Sequence, residues 1–426
     1  MKYWAFVSIF LLVIPFVVPA FGADWYDSNW LKARKITIDE TDIDTANLTN
    51  YPLYVNMTLV NVGTDSQADC DDFVFTDSTN VTKLDHEIET CDDANNWAEF
   101  WVEVPTVYFD ADTIIYMYYD NAGTTDQQST QATWNSNYQM VVHLNGTFID
   151  STSSPITCTN SGTSAISDEY VGDSRSWDGI DDYIDCGSDA KIDDIFTSGG
   201  TLSAWINPNN DGEGGAGRIM EKQAGWIWRL GAESGNNVKT VFFHEAGVND
   251  GFWASTNLDI DEQIWNYVVV SYDKDNPTTE PLFYVDGIQV DVNDDLTVDT
   301  PVTDNAKTLC LGGNSITPGG GCNALTSFDG EMDELRLYDA IQTPEWVKAD
   351  WECQRGAVDG NSCITVGAEG TEPAAATPIR NAIAIYLNSP TTTRLGGIFA
   401  GVCDFANNYT MIGIWPNGTI RCAQLP

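Results

Sequence analysis

Basic residues are scarce in this chain. Nineteen Lys and Arg stand against 63 Asp and Glu, a formal charge of −44. A field of that sign repels phosphate backbones and anionic membranes, so nucleic acid is not an expected partner. It suits calcium, a salty medium or plain solubility. Histidine is rarer still: His86, His143 and His244 are the whole supply. His86 and His143 lie in strand-like runs, and no nucleophile-elbow glycine pattern lies near any of the three, which argues against a nucleophile–histidine–acid triad. No CxxC spacing occurs, so the familiar zinc sites are excluded. Helix signals are nearly missing, and internal repeats are missing altogether.

Only one long apolar run exists. Residues 2–23, KYWAFVSIFLLVIPFVVPAFGA, follow Lys2 with an apolar stretch and end in small residues. That pattern is a secretory signal with cleavage near Ala20 or Ala23, and an uncleaved anchor is the alternative. With no second span, the rest is expected outside the cell, secreted or on a cell or virion surface. Ten cysteines fit an oxidising compartment. They fall as neighbours: Cys70 and Cys91, Cys158 and Cys186, Cys310 and Cys322, Cys353 and Cys363, Cys403 and Cys422. Spacing alone does not fix connectivity; five local bridges are the expectation. Asn47, Asn56, Asn80, Asn145, Asn408 and Asn417 head N-x-T triplets, as surface asparagines of a glycoprotein would.

Short alternating runs broken by Gly, Asn and Asp fill most of the chain, such as YPLYVNMTL from 51, WNYVVVSYD from 265 and PLFYVDGIQV from 281. Asp286-Gly287 in the last marks a hairpin turn. One helix is expected in TPEWVKADWECQ, with Thr343 as cap and Pro344 in its first turn. The fold class is therefore all-β: two β-sandwiches in series and a small C-terminal β tail. The divisions are a signal at 1–23, a first sandwich at 24–130, a second at 135–367, a Pro/Ala linker at 367–378 and a disulfide-bearing tail at 379–426.

Within 30–123, the stretches WLKARKITID, LTNYPLYVNM, DCDDFVFTD, KLDHEIE, AEFWVEVPTV and TIIYMYYDNAG occur in the order of a known family. The first unit resembles domain of unknown function 2341, although Asp120 replaces a usual glycine. That resemblance implies a surface β-sandwich without known chemistry. In 138–366, VVHLNGTFIDST, SWDGIDDYIDCG, LSAWINP, WNYVVVSYD, LFYVDGIQV and FDGEMDELRLYDAIQTPEWV follow in series. The second unit resembles a laminin-G-like, concanavalin A-type lectin/glucanase sandwich, a jelly roll. The tail resembles no family.

The acidic knot DGIDDYIDCG at 178–187 poses the functional question. Glucanase relatives of this fold use E-x-D-x-E, which sends two carboxylates from one strand face. The nearest match is Glu331-Met332-Asp333-Glu334-Leu335. Leu335 occupies the third position, and strict alternation sends Glu334 to the other face, so the hydrolytic pair is broken. Calcium wants several loop oxygens. Asp178, Asp181 and Asp182 provide carboxylates, and the resemblance brings the strand of Asp333 and Glu334 near them. A turn that merely caps its own amides explains the same residues, and both readings stand here. Asp273-x-Asp275 and Asp291-x-Asn293-x-Asp295 lack the glycine of an EF-hand loop.

Glycan binding needs aromatic platforms beside polar groups. Trp226, Trp228, Phe243, His244 and Trp253 are the candidates, with Asn236, Asn237 and Asn249 close by in sequence; core packing is the competing explanation. The function expected is non-enzymatic: adhesion or binding of an extracellular glycan or surface glycoprotein, with Ca2+ as candidate cofactor. Assembly of an envelope, filament or virion through IAIYLN in the tail is the second reading. Glycoside hydrolysis is the third.

Overall fold

The computed structural model describes residues 25–57, 62–233, 237–257, 260–276, 279–294, 299–315, 320–359, 363–371, 409–414 and 420–424. The signal region, the IAIYLN stretch and the expected Cys403–Cys422 bridge lie outside the described residues. Two compact units result, 1–371 and 372–426. In the second, Tyr409–Ile414 pairs with Ile420–Gln424 as an antiparallel hairpin.

The first unit contains four principal sheets. A six-stranded sheet runs Ile364–Val366, Lys32–Ile38, Thr113–Tyr119, Val74–Thr76 and Lys83–Leu84, with Gly370–Thr371 also on Lys32–Ile38. It shares a core with a three-stranded sheet of Leu48–Met57, Trp97–Val107 and His86–Asp92. An eight-stranded sheet, centred on Asp329–Tyr338 and Gly200–Pro208, shares a second core with a nine-stranded sheet that includes Arg218–Lys222, Trp226–Ala232, Asn237–His244 and Gly251–Ser255. Two sandwiches result, as the alternating runs require. The chain does not leave the first sandwich for good at residue 130. The stretch 364–371, expected to close the second sandwich and begin a linker, returns to strand Lys32–Ile38.

The sandwiches share a buried seam. Strand Asn266–Tyr272 is buried at every position. Val268 and Val270 join the core of the second sandwich, whereas Tyr267 and Val269 join that of the first. The apolar run WNYVVVSY thus follows from burial on both faces. The helix Pro344–Asp359 adds Trp346 and Val347 to the seam, and Tyr51 packs edge-on against Trp346. Thr343 caps it, its Oγ1 accepting from the Trp346 amide at 3.2 Å. Val285 pairs with Ile288 across Asp286-Gly287, both turn residues having positive φ, as a tight hairpin demands.

Among the described residues four disulfides are present: Cys70–Cys91, Cys158–Cys186, Cys310–Cys322 and Cys353–Cys363. The sequons do not behave alike. Asn47 is exposed, but Asn80 is buried at 3% exposure. Asn56 and Asn145 direct Nδ2, the atom that would carry a glycan, to Glu99 and Glu89. Asn408 and Asn417 lie outside the described residues.

Candidate functional site

Strand Asp329–Tyr338 carries the would-be hydrolytic residues, and a β-bulge re-aims them. Against Gly200–Pro208 its register slips between Ser203 and Trp205, and Glu334 takes φ 51°. Met332, Leu335 and Leu337 therefore all enter the second sandwich's core. Leu335 does not share a face with Asp333, and Glu334 is not turned away from it. The bulge resets alternation so that Asp333, Glu334 and Arg336 are all buried outside that core. Glu331 remains half-buried with Oε2 accepting from Asn207 Nδ2 at 2.8 Å.

At the seam Glu334 meets residues of the other sandwich. His143 Nδ1 lies 2.6 Å from Glu334 Oε1 and 3.0 Å from Glu89 Oε2, and its Nε2 lies 3.3 Å from Glu87 Oε2. Glu87 and Glu89 come from His86–Asp92 of the first sandwich. Arg336 donates to Glu334 at 2.6 Å and to Asp350 at 3.3 Å, and stacks over the Trp101 ring at 4.3 Å. Tyr267 donates to Asp350. Indole donors complete the network, Trp134 to Glu87 at 2.7 Å and Trp101 to Glu89 at 3.0 Å.

Burial by itself would pull the His143 imidazole down, but Glu334, Glu89 and Glu87 together hold it well above its ordinary value. The three carboxylates thus favour its charged form, in which both nitrogens donate. Burial and the charges of Glu334 and Glu87 push Glu89 up to about 8, against the opposing pull of His143. Burial and then Glu334 push Asp333 well up. Burial would also raise Glu334, yet His143 and Arg336 hold it below the usual carboxylate value. Glu89, His143 and Glu334 place one ligand atom each within 4.8 Å, but the arrangement is complete as a hydrogen-bonded ion network. Sequence reasoning missed it. Its signal was present as charges inside apolar strands, in HEIE at 86–89 and DELR at 333–336.

Beside this network a cavity of about 610 Å³ opens, with Glu87, Gln128, Ser129, Thr147 and Ser151 in its lining. Ser151 Oγ donates to Glu87 Oε1 at 2.6 Å.

The acidic knot is chiefly a turn. Asp178 Oδ1 accepts from the amides of Ile180 at 2.9 Å and Asp181 at 3.3 Å, and Asp182 Oδ2 accepts from the Asp178 amide at 2.9 Å. Gly162, at φ +97°, is required there, since a Cβ would stand 1.8 Å from Asp182 Oδ1. Asp178, Asp181 and Asp182 do bring carboxylate oxygens within 4.8 Å of one another. Burial, then the charges of Asp178 and Asp181, raise Asp182. Asp333 and Glu334 are not part of this group. The residue paired with Asp178 is Asp329, held by Asn209 and Asn210, and Asp333 and Glu334 are committed to the seam.

The tryptophan stripe faces inward. Trp226, Trp228, Trp253 and His244 are at most 2% exposed. Trp226 Nε1 donates to Asp304 and Trp228 Nε1 to Thr240, both at 2.8 Å. No ring face is left for a sugar. Burial drives His244 down to about 3, so it is a neutral core residue. The exception among the five is Phe243, which faces outward. The register aligns Ile227, Phe243 and Phe252 across three strands, with Phe252 36% exposed. Arg229 occupies the same outer face, its guanidinium carbon 5.8 Å from the Phe252 ring centre, and Lys239 lies further along it. The period-two spacing identified the shared face of Trp226 and Trp228 but not which side was solvent. Asn249 donates to Asp299, and Asn236 lies outside the described residues.

Comparison with known proteins agrees with this architecture. A family model described as the concanavalin A-like lectin/glucanases superfamily matches residues 178–348, and the model for domain of unknown function 2341 matches 69–160. The chain thus carries a laminin-G-like, concanavalin A-like domain preceded by a 2341-type domain. No curated protein matches it. Among solved structures, the binding domain of Paraclostridial Mosquitocidal Protein 1 is similar at 13% identity and a TM-score of 0.40, over 51% of this chain and 52% of that one. This chain thus spans about half the length of that domain. Domain 4 of an extracellular arabinanase from Geobacillus stearothermophilus, in complex with arabinotriose, is similar at 17% identity and 0.37, over 50% of this chain and 98% of that one. A pentraxin from Limulus polyphemus is similar at 16% identity and 0.31, over 40% and 83%. These likenesses are too remote to bring any ligand to this chain.

Proposed function

We propose that this chain is an exported, non-catalytic protein that binds a glycan or surface glycoprotein through its concanavalin A-like sandwich. The observation that carries the reading is the open outer face of the nine-stranded sheet. Ile227, Phe243 and Phe252 form a partly exposed apolar row there, beside the cationic Arg229 and Lys239. Sugars present apolar faces and polar edges, and a row of this kind offers both contacts. Sealing of Asp333 and Glu334 in the seam argues against two-carboxylate hydrolysis. Four disulfides favour an oxidising compartment. No helix among the described residues is long and apolar enough to cross a membrane.

Calcium belongs to the proposal as a ligand of Asp178, Asp181 and Asp182 alone. Their grouped, partly exposed oxygens suit a hard cation. The test of the reading is binding of the purified chain to an immobilised glycan panel, with and without chelator. Phe243→Ala and Phe252→Ala are expected to weaken capture without lowering the melting temperature. Folded protein that captures no glycan, or variants that bind as the parent does, would count against it. Turnover of a polysaccharide that Glu331→Gln abolishes would restore the hydrolase reading.

A second reading, assembly through the tail, is favoured by the hairpin Tyr409–Ile414 and Ile420–Gln424, a two-stranded sheet with edges to offer a neighbouring chain. Concentration-independent monomers, with and without 379–426, would remove it.

A further inference from the structure

Most described basic side chains sit on a carboxylate, as a chain with 63 acidic residues allows. Arg229 does not. Its Nη1 donates to the Leu230 carbonyl at 2.6 Å, and its other donors have no partner among the described residues. Lys35, Lys83, Lys307 and Arg175 also have no ion pair among the described residues; Lys83 donates to the Gln127 carbonyl, and Arg175 is buried, with Nε on the Leu144 carbonyl and its guanidinium over Phe148. Arg229 instead opens on the outer face of the sheet, half-buried beside the row of Ile227, Phe243 and Phe252. Its cross-strand partners are Val241 on one side and another cation, Arg218, on the other, the latter paired with Glu221. Burial first, and Arg218 second, hold the Arg229 guanidinium below its ordinary value. Among the described residues, a strongly acidic protein thus sets a partly desolvated guanidinium beside a second cation with no anion on it. A planar anion with an apolar body complements such a face, its charge on Arg229 and its body on Phe243 and Phe252.

We propose that the Arg229, Phe243 and Phe252 face binds a carboxylate-bearing sugar, a uronic or sialic acid residue of a polysaccharide or glycoprotein. The proposal rests on the glycan-binding reading above and narrows its ligand class. Arg229 takes the carboxylate, since the guanidinium fork matches it in two parallel hydrogen bonds. The two rings take the apolar face of the sugar. The molecule's overall negative field opposes any polyanion that lacks such a local fit, so the face selects single acidic sugars against dense acidic chains.

The experiment is binding of the full mature chain to immobilised uronic- and sialic-acid glycans. Each is paired with the same glycan after reduction of its carboxyl to an alcohol, and polyglutamate is included. The expected result is capture of at least one acidic glycan, weakened about tenfold or more by carboxyl reduction and by Arg229→Gln, partly kept by Arg229→Lys, and weaker at high salt. Melting temperatures of the variants confirm that the fold is intact. Equal binding of acidic and reduced glycans, or binding indifferent to Arg229→Gln, overturns this inference and leaves the broader glycan reading standing. Preferential binding of polyglutamate overturns it in favour of an acidic polypeptide. Folded protein that captures nothing on the panel overturns both.

Discussion

Two acid-rich regions of this protein use the same side chains to different ends. At Asp178–Asp182 three carboxylates lie within five residues, two of them exposed, and Asp178 and Asp182 are turned onto amides of their own loop. At the seam, Glu87 and Glu89 from one strand, Glu334 from another and Asp350 from the helix are buried and close on His143 and Arg336. Water reaches the first group at Asp178 and Asp181 and weakens the coupling among its charges. Its exclusion from the second makes every charge depend on its neighbours. Density of acidic residues in the sequence is therefore a poor guide to where electrostatics matters here. Burial is the deciding variable.

The sharpest way to break the comparison is to remove the shared cation. His143→Ala takes the shared cation from three carboxylates, leaving Glu334 to Arg336 and Glu87 and Glu89 to neutral donors only. Loss of one partner of a buried ion group costs about 3–5 kcal/mol. Chemical denaturation is expected to register a loss of that size, and a loss below about 1 kcal/mol would make the network incidental.

The second test is pH. Unfolded, Glu89 releases its proton near 4.5, whereas folded it holds it to about 8. Between those values the folded state binds the extra proton, so stability falls as pH rises across that window. His143 acts in the same direction: its contribution is whole below about 6.5 and is lost as pH climbs toward its raised folded value. Glu334 acts oppositely, its stabilisation being lost as pH drops below about 4.5. Glu89→Gln is expected to reduce the downward slope between pH 5 and 8 by up to one proton, about 1.4 kcal/mol per pH unit. An unchanged slope would remove Glu89 as its source.

Effects at the surface knot are smaller. Asp182→Ala orphans the Asp178 amide and is expected to cost about 1–3 kcal/mol. Asp178→Ala is expected to cost about 1 kcal/mol or less, by loss of a turn cap. Calcium titration followed by melting temperature sharpens the contrast. A rise with calcium that Asp182→Ala abolishes and Glu334→Gln leaves intact would assign the ion to the knot. Smallest of all, Arg229→Gln is expected to leave stability within about 0.5 kcal/mol, since that guanidinium holds no ion pair in the fold.

What the sequence reveals follows the same division. Local features were legible. Thr343 and Pro344 announced the helix, and Asp286-Gly287 announced its hairpin. The inward partners of Trp226 and Trp228 were not legible, because period two names a face and not what covers it. Nor was the bulge at Glu334. Strict alternation put Leu335 beside Asp333, and one extra residue reversed that face assignment. The seam escaped because residues 87, 89, 143, 334, 336 and 350 meet only once the two sandwiches are in contact, and no spacing encodes that.

The account rests most on the claim that these charges join two sandwiches into one cooperative body. Calorimetry of the purified chain and of its His143→Ala variant tests it directly. A single main transition for residues 25–371, moved as a whole to lower temperature by the substitution, is the predicted result. Two separate transitions in the parent chain, neither moved by the substitution, would contradict it.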